Sequence, residues 1–397
     1  MKLLAVGDLH LGRVPTALPE VLAERAREFG PETAWKRCVA AALEHQVEAV
    51  LLAGDVVESP RDFFVGYQSL KQGVAQLLEA DIQLIGVAGN HDLDVLPRLA
   101  DALPDVRLLG RNGHWQQHPL SEASILGWSF PRPQVSASPL AELPELDRSQ
   151  PIIGLLHCDL DQPDSHYAPV SRRELMAAGV DAWLLGHIHK PSLASAEQPI
   201  GYLGSVSALR ASETGARGPW LIELQDGALE LEQLALAPLG YAEVELDVSE
   251  LNQAQHLDTQ VIDIGRQAVE RWLAEHALPD ALGLRIRLIG KTAISTQLQA
   301  EAESLAQRGQ VWEEAACQLF VDHIRLDTRP AIDLTECARQ PNAIGLLARD
   351  LLLLEGPDSE TRRALIDQGR HALIQLDSVD AFRRLDDRLD AEGVALW

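Results

Sequence analysis

The chain has 397 residues, 46% of them hydrophobic and 23% charged, and 34 Lys plus Arg against 59 Asp plus Glu leave a net charge of −25. That length allows two or three domains with their own cores, and the composition excludes a disordered, collagenous or repetitive chain. An acidic body repels polyphosphate over about a Debye length, so a free-standing DNA binder is disfavoured. Any nucleic-acid role must draw on local cations, either bound metals or a partner's basic surface.

The first residues, Met1 to Gly7, are apolar but stop at Asp8, short of a signal peptide, and no apolar run approaches the roughly eighteen residues of a membrane span. Cytoplasmic residence without a membrane is the expectation. Cys38, Cys158, Cys317 and Cys337 form no CxxC pair, so reduced, buried cysteines are expected rather than disulfides or a thiolate zinc site. Short aliphatic runs at 3–6, 48–54, 82–89, 151–157 and 182–187 predict strands, and stretches at 32–46 and 62–79, apolar at three- and four-residue spacing, predict helices between them. Runs at 220–224 and 228–236 add strands without helices, so a mixed sheet, single or doubled, is expected. After Pro238 the pattern resets to a strand at 242–248, a long helix at 253–276, a strand at 284–289, a helix at 295–308 and a strand near 317–325. That order fits a small α+β domain. From Pro330 to Trp397 only helical periodicity remains, broken at Pro341 and Gly356-Pro357, which predicts two to four helices. The expected organisation is an α/β domain over 1–238, an α+β domain over 239–330 and a helical region over 331–397.

The strands of the first domain end in residues that ligate metals. Asp8 and His10 follow the first, Asp55 the second, and Asn90, His91 and Asp92 the third; His157 closes the next, and His187 and His189 follow the last. In an α/β sheet the carboxyl ends of the strands line one edge, where ligands bind, so these residues should converge. Asp8, Asp55, Asn90 and the histidines 10, 157, 187 and 189 offer oxygen and nitrogen donors without thiolate, a set suited to Mn²⁺, Fe²⁺, Zn²⁺ or Mg²⁺. They exceed what one ion needs and match two ions roughly 3.5–4 Å apart bridged by one carboxylate, the arrangement of a two-metal phosphoester hydrolase. Gly7, Gly54, Gly89 and Gly186 each precede a ligand and let the backbone turn sharply toward the ions.

Together GDLH (7–10), GD (54–55), GNHD (89–92), His157 and GHIH (186–189) resemble the calcineurin-like metallophosphoesterase superfamily. DLHLG (8–12), GDVVES (54–59), LGHIHKP (185–191) and the stretch 201–224 look most like its SbcD and YhaO branch of DNA double-strand-break repair exonucleases. The resemblance implies a metallophosphoesterase β-sandwich flanked by helices, with a small α+β capping domain and a helical tail. It implies that Asp8, His10, Asp55 and His189 hold one ion and Asp55, Asn90, His157 and His187 the other, most often Mn²⁺. His91 would face the phosphate and protonate the leaving oxygen or stabilise the transition state, and Asp92 would orient its imidazole or cap a turn instead. Some relatives carry a second phosphate-facing histidine three residues after the bridging aspartate, and this chain has Glu58. That departure leaves the exo- or endonucleolytic mode open.

The implied partners are DNA and an SMC-like coiled-coil ATPase of the SbcC or YhaN type, gripped by the apolar helices at 343–355 and 361–376 unless those pack within the chain; a homodimer is an open alternative. Arg13, Arg61, Lys190, Arg210 and Arg217 flank the motifs and are candidates for backbone phosphate contact. Gly290-Lys291-Thr292 is not a P-loop, because Arg285 stands where the loop's first glycine is required. Ser205 and Ser207 lack a nucleophile-elbow setting and read as turn residues. The leading function is a metal-dependent DNA exo- or endonuclease; the alternatives are a small-molecule phosphodiesterase or phosphatase and a non-catalytic scaffold of an ATPase complex.

Overall fold

The computed structural model describes residues 1–375 apart from 104, 226 and 358. In chain order its strands are β1 (Lys2–Val6), β2 (Ala49–Ala53), β3 (Gln83–Val87), β4 (Val106–Leu108), β5 (Gln116–Pro119), β6 (Ser124–Trp128), β7 (Ile152–His157), β8 (Ala182–Gly186), β9 (Ile200–Tyr202), β10 (Trp220–Gln225) and β11 (Ala228–Gln233). They are followed by β12 (Leu239–Asp247), β13 (Ala281–Thr292), β14 (Val311–Glu314) and β15 (Cys317–Pro330).

One sheet has the order β11-β10-β1-β2-β3-β4, the second β5-β6-β7-β8-β9. Strands β1 to β4 run parallel, as do β6 to β9, while β10 is antiparallel to β1 and β5 to β6. The two sheets face each other. Alternation along the strands shows why: Leu3, Ala5, Leu51 and Ala53 of one sheet meet Ile125, Ile153, Leu155 and Leu184 of the other. The side chains between them in sequence, Leu4, Val6, Val50 and Leu52, point outward under Trp35, Val39, Leu70 and Val74 of the helices Pro31–Glu44 and Phe63–Glu79. On the far side Leu126, Leu156, Trp183 and Leu185 pack with Leu175 and Val180. Strands buried on both faces read as continuous apolar runs, which is why the aliphatic stretches mark them. Fully burying each such Leu or Val contributes about 1.5–3 kcal/mol. The result is a β-sandwich flanked by helices.

Beyond Pro238 four strands pair in the order β12-β13-β15-β14, with the helices Leu257–Leu273 and Ser295–Arg308. Residues 1–247, 253–289 and 296–327 form one compact unit, so segments on both sides of Pro238 share a core. Leu22, Phe29 and Ala208 pack with Leu239, Tyr241, Ala281 and Phe320, and Arg37 reaches the Asp280 carboxylate at 2.6 and 2.7 Å. A second unit takes in 248–252, 290–295 and the described residues from 328 to 375. Its described helices are Leu334–Cys337, Ala343–Glu355 and Glu360–Gln375; residues 376–397, part of the expected helical region, lie outside the described residues. Asn342 caps the second of these helices by accepting the Gly345 N–H at 3.0 Å. Ile344, Leu346 and Leu347 on that helix are 59–60% exposed.

All four cysteines are free, and three are buried, with Cys337 half-buried. Gly290 to Thr292 forms the end of β13, not a phosphate loop. Among the described residues no helix is long and apolar enough to cross a membrane.

Candidate metal centre

Parallel strands β1, β2 and β3 and their counterparts β7 and β8 present their carboxyl ends along one edge of the sandwich. The residues expected there do converge. Asp8, His10 and His189 offer atoms mutually within 4.8 Å, as do Asp55, His157 and His187. Asn90 Oδ1 joins the second group, 3.0 Å from His157 Nε2 and 3.2 Å from His187 Nδ1. Asp55 Oδ2 lies between the groups, 3.4 Å from His157 Nε2 and 3.9 Å from His10 Nε2. Asp8, His10, Asp55 and His157 are at most 2% exposed.

Each histidine turns one nitrogen inward and has an oxygen behind the other; His157 and His189 hydrogen-bond that oxygen, His187 faces it at ion-pair distance, and His10 Nδ1 lies close to one without a hydrogen bond. His10 Nδ1 is 2.7 Å from Glu58 Oε2, and His189 Nδ1 is 2.8 Å from Glu213 Oε1. His187 Nε2 is 3.3 Å from Asp159 Oδ1, and His157 Nδ1 is 3.0 Å from the Ala53 carbonyl oxygen. For His157 and His189 these acceptors assign the outer nitrogen as the N–H, and the carboxylates beside His10 and His187 favour the same tautomer, which leaves lone pairs inward. His10 Nε2 and His189 Nε2 then face each other at 3.1 Å beside Asp8, and His157 Nε2 faces His187 Nδ1 at 3.3 Å beside Asn90 Oδ1 and Asp55. Acceptors facing acceptors in a buried pocket repel unless a cation sits among them. The donor set thus fits two divalent ions of hard or borderline character.

A proton feels the same preference. Burial works against a charged His157, but the adjacent Asp55 carboxylate outweighs it and holds the imidazole up at about 9. Burial likewise opposes ionisation of Asp55, yet His157 and His10 keep it well below the ordinary carboxylate range. Glu58, Asp159 and Glu213 are each pushed up by burial and pulled down further by the imidazole they face, so all three stay below their ordinary values.

The backbone is strained where these side chains leave it. Asp8, His10, Asp55 and His187 have φ of 38°, 51°, 47° and 102°, in the left-handed region that disfavours side chains. Such positions cost roughly 1–3 kcal/mol each and persist where the surroundings enforce them. Two glycines make the close approach feasible: a Cβ on Gly54 would fall 2.6 Å from His157 Nδ1, and one on Gly89 would fall 2.2 Å from Asp55 Oδ1.

His91 is exposed at the mouth of the centre, its ring 5.3 Å from that of His10. Its Nδ1 lies 3.1 Å from the Glu58 carbonyl oxygen, and its backbone N–H donates to Asp55 Oδ1 at 3.0 Å. The expected orienting role of Asp92 needs correction. Asp92 is 0% exposed, and its carboxylate accepts the backbone N–H groups of Val56 at 2.7 Å and Gly89 at 2.8 Å. Those amides belong to the loops carrying Asp55 and Asn90 and have no strand partners, so the carboxylate ties loop to loop and leaves His91 to the Glu58 carbonyl. Burial, and then the Asp55 charge, raise the Asp92 carboxyl to about 7.

Arg217 also differs from expectation. It is 2% exposed and donates to the carbonyl oxygens of His189 and Glu213, so it cannot meet a DNA backbone; Arg61, Lys190 and Arg210 remain exposed beside the motifs. Asp159 and Glu213 went unread in the sequence as partners of the ligand histidines. The available signal was the second ring nitrogen of each histidine, which needs an acceptor somewhere in the chain.

Residues 1–191 match the family described as calcineurin-like phosphoesterase, and residues 241–329 match the middle domain of metallophosphoesterase YhaO. The uncharacterized metallophosphoesterase YhaO of Bacillus subtilis (strain 168) is 27% identical over 273 residues, 64% of this chain and 65% of its own. The DNA double-strand break repair protein Mre11 of Haloferax volcanii is 28% identical over 267 residues, 62% of this chain and 55% of that one. The protein of the same name from Aeropyrum pernix is 26% identical over 287 residues, 63% and 64% of the two chains. The chain thus spans between about half and two thirds of the length of these relatives.

Proposed function

We propose, from the premise that the chain belongs to the calcineurin-like metallophosphoesterase superfamily in its SbcD/YhaO-like branch, that it is a two-metal phosphodiesterase acting on DNA ends. The observation carrying this reading is the convergence of inward-facing acceptors around Asp55, with exposed His91 at the mouth. Asp8, His10, Asp55 and His189 would hold one ion and Asp55, Asn90, His157 and His187 the other, with Mn²⁺ the first candidate. Two divalent ions bound there would supply the positive charge that activates water and polarises the phosphoryl oxygens.

The protein's own part is to orient and to move a proton. With Nδ1 held by the Glu58 carbonyl, exposed His91 would use Nε2 to donate a proton to the leaving oxygen. Asp55 Oδ1 fixes the His91 backbone through its N–H, which couples the proton donor to the bridging carboxylate. Asp8 accepts the His187 N–H at 2.9 Å, and the Asp55 carbonyl oxygen accepts the His10 N–H at 2.9 Å, so each group of ligands is braced by a member of the other.

Support for DNA as substrate comes from the Mre11 relatives and from the β12–β15 segment, which falls on the YhaO middle-domain match. Exposed Ile344, Leu346, Leu347 and Leu353 support docking of an SMC-like coiled-coil ATPase, which would also bring the positive charge that a chain of net charge −25 lacks. The test is Mn²⁺-dependent cleavage of an end-labelled duplex beside bis-p-nitrophenyl phosphate, with and without that ATPase. Cleavage of both supports the proposal. Hydrolysis of the small diester alone, with the ATPase present, points to a small-molecule phosphodiesterase, and cleavage of neither points to a scaffold.

A further inference from the structure

Behind the ligand histidines lies an outer layer whose members fall to the two ion positions separately. Glu213 serves one. Its Oε1 faces His189 Nδ1 at 2.8 Å, while its Oε2 accepts the Leu209 N–H at 2.8 Å and lies 3.4 Å from Ser205 Oγ. Arg217 locks this turn from inside, donating from Nε to the Glu213 carbonyl oxygen at 3.0 Å and from Nη1 to Ser205 Oγ at 3.0 Å and to the His189 carbonyl oxygen. Both oxygens of the carboxylate are therefore engaged and its backbone is pinned, so the His189 ring is held in one orientation with Nε2 inward.

Asp159 serves the other position. Its Oδ1 lies 3.3 Å from His187 Nε2, its other oxygen accepts from Ser165 Oγ, and its backbone pairs with Tyr167 and Val170. Among the contacts described, the Glu213 and Asp159 networks share no residue. A carboxylate behind a ligating imidazole fixes the tautomer and raises the basicity of the inner nitrogen, and losing such a partner lowers metal affinity about 10–100-fold.

We propose that Glu213, locked by Arg217, is the positioning residue for the ion held by Asp8, His10 and His189, that Asp159 is the positioning residue for the ion held by Asn90, His157 and His187, and that the two positions are therefore separately tunable. The inference rests on the two-metal reading given above. Glu213→Gln keeps the shape of the side chain and an acceptor oxygen but removes the charge, and Asp159→Asn does the same at the second position. Each variant should lose about 10–100-fold in affinity for one ion and none for the other.

The experiment is Mn²⁺ titration of the full chain, read by elemental analysis and by electron paramagnetic resonance at about ten times the wild-type dissociation constant. Wild type should hold two ions and show a spin-coupled pair. Each single variant should keep one site full and fill the other only to about 10–50%, with the coupled signal falling in proportion, and Glu213→Gln with Asp159→Asn together should leave both sites at about that level. If in the double variant one site still fills as in wild type, both carboxylates act on one position and the inference is overturned. Unchanged affinities, or equal weakening of both ions by one substitution, overturn it as well. Arg217→Lys, which keeps the charge but not the forked geometry, should mimic Glu213→Gln at the first position alone. A wild-type chain that takes up fewer than two ions contradicts the two-metal reading itself, and this inference with it.

Discussion

Replacing Asp92 by alanine separates a loop tie from an orienting group. The substitution removes the acceptors of two buried backbone donors, Val56 N–H at 2.7 Å and Gly89 N–H at 2.8 Å, at a site 0% exposed. Each stranded buried N–H costs about 1–3 kcal/mol, so about 2–6 kcal/mol of local stability should be lost, a large part of the roughly 5–15 kcal/mol of a typical domain. Because the chain has more than one compact unit, a single melting midpoint is a poor measure. Hydrogen exchange of the metal-free chain over peptides covering 53–57 and 88–92 reads the local opening directly. Asp92→Ala should raise the exchange rate of both peptides by factors of about 30 or more, with metal affinity falling alongside because Asp55 and Asn90 ride on these loops. Unchanged exchange with turnover lost would mean that Asp92 acts on His91 after all. The pH dependence has a definite sign. The folded carboxyl is raised from 3.8 to about 7, so the native state holds a proton that the unfolded chain has lost. Its contribution to stability of the metal-free chain must fall as pH rises from about 4 to about 7.

Asp55→Ala should remove both ions, because Oδ2 is the oxygen between the two groups; two ions retained in elemental analysis would refute the bridging role. His91→Ala should keep its metal and lose roughly 10²–10⁴ in turnover, the usual worth of a positioned general acid, and wild-type cleavage would transfer the proton step to water. His157, held up at about 9, must lose its proton to ligate, so Mn²⁺ affinity should climb with pH and level off above about 9; affinity flat between pH 6 and 9 would contradict that proton release. Deleting 341–397 should leave small-diester hydrolysis intact, since every proposed ligand precedes residue 190, and should abolish the gain in DNA affinity and salt slope that the ATPase brings. Tight, steeply salt-dependent DNA binding by the isolated chain would contradict the partner's role.

The sandwich was legible because its central strands are buried on both faces, so Leu3 to Val6 and Ile152 to His157 stand out as unbroken apolar runs ending at ligands. The edges were not. β5 reads Gln-Gln-His-Pro, a polar edge strand, and β4 and β9 are three residues long, too short for any alternation to register. The seven inner donors were readable because each stands at a strand end or just beyond one. Asp159 and Glu213 were not, since a carboxylate behind a ring is placed by loop paths that carry no period. Arg217 looked like a surface cation because sequence gives no sign that two carbonyls and a hydroxyl enclose it. Asp92 was open between two roles, and only the position of the Val56 and Gly89 amides decides between them.

The most direct measurement is an anomalous difference map from crystals of the full chain soaked in Mn²⁺. The account predicts two peaks roughly 3.5–4 Å apart, one among Asp8, His10 and His189, the other among Asn90, His157 and His187, with Asp55 between them. A single peak, or two peaks that do not share Asp55, would contradict it.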